Sequence, residues 1–77
     1  MEQGKIVKCN YVKTSVNGNG QYEAVILLKG ESVETVRGNS DDPINIKMRN
    51  LEGKNVEYST KFKYGKLYFD KLNELRN

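Results

Sequence analysis

Aromatic rings interleaved with ammonium groups are the chemistry this chain offers. Tyr58, Tyr64 and Tyr68 stand with Phe62 and Phe69 near its end, and Lys54, Lys61, Lys63, Lys66 and Lys71 alternate with them. Rings of this kind stack on nucleobases, each stack contributing roughly 1–3 kcal/mol, while lysines along the same groove neutralise phosphates. Lys54, Lys61, Lys63, Tyr64, Lys66, Tyr68 and Lys71 are therefore the candidate contacts to single-stranded nucleic acid. Tyr58 and Phe62 share their spacing with Val56, and Phe69 shares its own with Leu67, which assigns those three rings to a core. Lys8, Lys13 and Lys29 extend the basic surface if the first two strands form the neighbouring wall. Outward lysines such as Lys61 and Lys63 also have a plainer use, keeping an exposed strand soluble and discouraging edge pairing.

Other chemistries have few residues to work with. The chain has no histidine, the commonest general base near neutral pH and the commonest metal ligand. Its one cysteine, Cys9, cannot form an intrachain disulfide or complete a cysteine-based zinc site. Between Lys8 and Asn10 in a strand-like run it reads as a small buried hydrophobe in a reducing compartment. Asp41-Asp42 lacks the oxygen spacing of a calcium loop and suits helix N-capping. Asn17-Gly18-Asn19-Gly20 leads into a strand, so it reads as a hairpin turn and not as a phosphate cradle. A non-catalytic protein without cofactor or metal is expected. Met1 to Lys5 is no secretory leader, and no run approaches the ~20 apolar residues of a membrane span, so a cytoplasmic protein without membrane contact is expected.

Charge is unevenly distributed. Residues 1 to 43 carry five Lys/Arg against six Asp/Glu, whereas residues 44 to 77 carry eight against four, so the overall +3 arises in the second half. With 77 residues there is room for one domain and a thin core, since a chain this short buries only about 60% of its unfolded surface.

The elements that must hold these side chains follow from periodicity. Lys5 to Lys13 alternates as a first strand with Val7, Cys9 and Tyr11 on one face and Lys8 and Asn10 on the other. The two Asn-Gly pairs turn the chain back into a second strand, Gln21 to Lys29. There Tyr22, Ala24, Ile26 and Leu28 oppose Val25 and Leu27, the two-sided pattern of a central or curved strand. Gly30-Glu31 turns again, and Ser32 to Arg37 makes a third strand, completing a meander. Polar residues 38 to 43 end the β run. Ile44, Met48 and Leu51 have helical spacing behind an Asp42 N-cap and Pro43, which favours a short helix over residues 43 to 51; Ile44, Ile46 and Met48 also fit a strand. Lys54 to Phe62 is a fourth strand, with Val56, Tyr58, Thr60 and Phe62 on its inner face. Lys63-Tyr64-Gly65-Lys66 turns into a fifth, Lys66 to Leu72, and residues 73 to 77 either add a helical turn or fray.

Five strands with a helix between the third and fourth is the element order of the oligonucleotide/oligosaccharide-binding (OB) fold. The segments Leu51-Glu52-Gly53-Lys54-Asn55-Val56-Glu57-Tyr58 and Lys63-Tyr64-Gly65-Lys66-Leu67-Tyr68-Phe69-Asp70 resemble the closing hairpin of such domains. The resemblance covers about a third of the chain, whose connection between the first two strands and total length are shorter than is usual there. It implies a mainly β fold, a small five-stranded antiparallel barrel or strongly curved sheet with one short helix, and a single-stranded nucleic acid as partner. The other reading is an accessory protein that binds and modulates a host protein, as small Lys- and Asn-rich proteins of phages and mobile elements do. Free sheet edges would also permit a homodimer.

Overall fold

In a computed structural model, which describes residues 1 to 76, β1 (Glu2–Thr14) and β2 (Gly20–Leu27) form a long antiparallel hairpin. The Asn-Gly segment makes its turn, with Gly18 at a φ of 87° and the Ser15 N–H donating to the Asn19 carbonyl at 2.8 Å. After a 3-10 turn at Lys29–Glu31, β3 (Val33–Arg37) returns along β2. α1 (Ile44–Asn50) follows, and then the antiparallel pair β4 (Asn55–Lys63) and β5 (Lys66–Glu74). The sheet closes into a barrel in the order β1-β2-β3-β5-β4, with β4 pairing back to β1 and β3 meeting β5 in parallel.

Inside the barrel, Ile6, Ala24, Ile26, Val36, Val56, Tyr58, Phe69 and Leu72 form the core, and Met48 and Leu51 add to it. Each fully buried aliphatic or aromatic side chain contributes on the order of 1.5–3 kcal/mol. Tyr58 and Phe69 meet edge to face with centroids 5.7 Å apart, and the Tyr58 hydroxyl donates to Glu34 Oε2 at 2.6 Å.

The helix expected over 43 to 51 forms over Ile44–Asn50, with Leu51 as its C-cap. Asp42 Oδ1 accepts the Ile44 N–H at 2.9 Å, Pro43 already has helical angles, and Gly53 ends the segment at a φ of 84°. Met48 and Leu51 turn inward while Ile46 is 66% exposed, the outcome of helical spacing. Buried Asn45 fastens the helix to the sheet, accepting the Tyr22 N–H at 2.9 Å and donating to the carbonyls of Asn39 and Asp42. A β-carbon at Gly38 would collide with the Asn45 amide, so a glycine stands there.

Three expectations need correction. Val7 does not share the inner face with Cys9, because Ile6 pairs with Ile26 and Lys8 with Val25, leaving Val7 as the extra residue of a bulge. Ile6 is thereby buried and Val7 45% exposed, while Tyr11 lies past the core and is 58% exposed. Phe62 is not a core residue but 71% exposed: β1 reaches β4 only from Tyr58 to Asn55 and leaves the last residues of β4 uncovered. Instead of fraying at Asn73 or turning helical, β5 runs on to Glu74, and Leu75 donates to the Asn55 carbonyl; Asn77 lies outside the described residues. Among the described residues no helix is long and apolar enough to cross a membrane.

Candidate nucleic-acid interface

The β4–β5 hairpin brings most of the candidate residues together. Lys61 lies opposite Tyr68, Lys63 opposite Lys66 and Ser59 opposite Lys71. Directly opposed residues share a face, as do residues two apart on a strand. Lys71 would fall on the other face by simple alternation from Tyr68. Asp70 is the extra residue where the register shifts from Ser59–Lys71 to Thr60–Phe69, and this bulge returns Lys71 to the lysine face while turning Leu72 into the core. Lys61, Lys63, Lys66, Tyr68 and Lys71 therefore line one outward surface. The Lys61–Asp70 contact, at 3.7 Å between half-exposed groups, ties up little of that charge.

Two candidates sit differently. Lys54, at the opposite end of β4, is 3.9 Å from Glu74 and takes no part in the hairpin face. Tyr68 is only 8% exposed, although it lies outside the core cluster. The Lys63 ammonium stands 4.9 Å from its ring centroid, and Tyr64 meets it edge on at 6.5 Å, so Tyr68 is a base for its neighbours and not an open stacking surface. Lys8 and Lys13 on β1, and Lys29 in the turn after β2, lie off the β4–β5 ladder.

Tyr64 is the open ring, 87% exposed at the hairpin tip. It holds a φ of 52° beside Gly65 at 74°, the two left-handed positions of a tight turn. A left-handed conformation costs a non-glycine residue about 1–2 kcal/mol. The turn keeps this large ring where asparagine or glycine would sit without strain, and the ring projects into solvent.

Phe62 and Arg37 were not among the sequence-derived candidates. Phe62 lines a recess of about 300 Å³ with Glu23, Thr35, Arg37, Lys66 and Leu67, where the hairpin adjoins the outer face of β2 and β3. Arg37 approaches Glu23 at 3.5 Å, and its buried Nε has no hydrogen-bond partner among the described residues. The aromatic residue was visible in the sequence, but the point where β1 stops covering β4 was not.

The titrating groups with displaced values lie elsewhere and are not activated. Burial, reinforced by the Glu52 carboxylate, pushes the Cys9 thiol up to about 11 against the opposing charge of Arg49. Burial also raises Tyr58 well above the usual tyrosine range, with the Glu34 hydrogen bond adding to it. Hydrogen bonds from Ser15 and Asn19, and a further one from Asn17, hold the Asp41 carboxyl below its ordinary value and tie the β1–β2 turn to the loop before α1.

Comparison of the chain with protein families, with characterised proteins and with solved structures finds no match.

Proposed function

We propose that this chain is an OB-like, non-catalytic module that binds single-stranded nucleic acid across the β4–β5 hairpin and the adjoining recess on β2 and β3. The observation that carries the reading is the hairpin itself: four lysines on one face, with the exposed ring of Tyr64 held at its tip in a strained conformation. Phosphates would follow Lys61, Lys63, Lys66 and Lys71, and bases would stack on Tyr64 at the tip and, past Lys66 on the other face of the hairpin, on Phe62. In OB domains the oligonucleotide lies on the second and third strands between the β1–β2 and β4–β5 loops. Thr35 and Arg37 in the Phe62 recess occupy the corresponding region. A thiol raised to about 11 and a buried tyrosine raised further make poor nucleophiles or bases at neutral pH, in keeping with a binding role.

The test is fluorescence anisotropy with a labelled mixed-sequence single strand and the matching duplex at two salt concentrations. Saturable binding that prefers the single strand and weakens with salt is expected, with clear loss in Lys61→Ala/Lys63→Ala. Phe62→Ala should cost roughly 1–3 kcal/mol of binding. An absence of binding at low salt would overturn the proposal.

One observation favours a protein partner instead. Leu27 and Val33, opposed in the β2–β3 register, are 39% and 60% exposed and give an apolar contact surface. Capture of a protein partner that is lost in Val33→Asp, together with no nucleic-acid binding, would select an accessory, regulatory role.

A further inference from the structure

Beyond the core, the β1–β2 hairpin carries a second aromatic and cationic group, against α1. Tyr11 and Tyr22 are register partners whose rings meet edge to face, 5.7 Å apart at 74°. From α1, the Arg49 guanidinium carbon stands 4.7 Å from the Tyr22 centroid. One helical turn earlier, Ile46 is 66% exposed. With Asn50 and Glu52 these side chains line a groove of about 450 Å³ between the hairpin and the helix.

The groove is already ordered. The Tyr11 hydroxyl is hydrogen-bonded to Thr14 Oγ1, the Tyr22 N–H is held by Asn45, and Glu52 Oε2 accepts the Cys9 N–H at 2.7 Å. Among the described residues no carboxylate lies within ion-pairing distance of Arg49. An exposed ring therefore stands beside a guanidinium with no ion-pair partner among the described residues, the nearby Glu52 carboxylate being engaged by the Cys9 N–H, and the Asn50 amide lies in the same wall. A flat heteroaromatic ring joined to an anion satisfies all three, and a nucleotide is such a ligand. Because the two tyrosines are packed on each other before binding, ordering the rings costs little.

We propose that this groove is a second nucleotide-binding subsite, taking one base on the Tyr11 ring and an adjoining phosphate on Arg49. The inference rests on the nucleic-acid reading of the hairpin and extends it. β2 lies between the two sites: Tyr22 lines the groove, and its chain neighbour Glu23 pairs with Asn10 on one side and with Arg37 of the Phe62 recess on the other. One strand occupying both would cross β2 and β3.

The experiment is anisotropy with a labelled strand of about twelve nucleotides, within the range one such barrel covers. It compares the unmodified protein with Tyr11→Ala, Tyr11→Leu, Arg49→Gln, Arg49→Lys and Lys61→Ala/Lys63→Ala, each checked by thermal melting. Tyr11→Leu keeps apolar packing on Tyr22 without a stacking ring, so it remains informative if the alanine variant unfolds. Tyr11→Ala and Tyr11→Leu should weaken binding about 5- to 100-fold, the loss of one stacked base. Arg49→Gln should also lower the slope of affinity against salt by about one contact, and Arg49→Lys should restore that slope. If the unmodified protein binds and Lys61→Ala/Lys63→Ala weakens it while the Tyr11 and Arg49 variants bind normally, the second subsite is overturned and the hairpin reading stands. Loss in the Tyr11 and Arg49 variants alone supports the subsite and overturns the hairpin. No binding by the unmodified protein overturns both.

Discussion

Cys9 and Tyr58 are both held in their neutral forms, chiefly by burial, and this couples the fold to alkaline pH. Unfolded, a cysteine loses its proton near pH ~8.5 and a tyrosine near ~10. Both folded values are raised, so the stabilisation is full below those points and is lost as the pH rises through them, first for Cys9 up to about 11 and then for Tyr58. The urea midpoint should be flat through neutrality and fall above about pH 9, with Cys9→Ala removing the earlier part of the fall. A midpoint already declining below pH 8 would contradict this assignment. Asp41 has the opposite sign. Its lowered value supports the turn above the unfolded carboxylate range and withdraws that support as the pH falls through the folded value. The strand pattern expects Cys9 to be buried; it is half-buried, and the hydrogen bond its thiol donates to the Met48 carbonyl arises only where α1 packs on β1.

Among the elements, the β4–β5 hairpin unites the proposed contact surface with backbone strain. Its turn uses left-handed angles at both Tyr64 and Gly65, although only the glycine takes them without cost. Tyr64→Asn should therefore stabilise the protein by about 0.5–1 kcal/mol in urea unfolding while weakening single-strand binding. A loss of stability would show that the ring is held for packing instead. The turn and both strands were readable from Gly65 and from alternation. The Asp70 bulge was not, because it is a property of the ladder between two strands and has no residue signature of its own. That bulge decides that Lys71 joins Lys61 and that Phe69 and Leu72 both reach the core.

For the whole molecule, closure rests on unequal seams. β1–β2 and β4–β5 are long antiparallel ladders, whereas β3 meets β5 through the Arg37–Tyr68 pair. Hydrogen exchange should open β3 first, with the amides of Val33 to Thr35 less protected than those of Ala24 to Ile26 in β2. Equal protection in the two strands would mean that side-chain packing, including the Tyr58–Glu34 bond, holds the seam as firmly as a ladder. This seam adjoins the Phe62 recess, whose Arg37 belongs to the same pair.

The order of elements, the two hairpin turns, the helix with its Asp42 cap and Gly53 stop, and the concentration of lysines and aromatics near the chain end are all readable from the residues in order. These are local properties, set by φ preferences, side-chain period and composition within a few residues. Tertiary structure alone decided which aromatics are covered. Tyr68 is covered by Lys63 and Tyr64, Phe62 is bare because β1 ends opposite Tyr58, and Val7 turns outward because one residue of β1 has no partner on β2. A slip of one residue in pairing moves every following side chain to the other face, and the pairing partner lies tens of residues away, beyond the reach of local pattern.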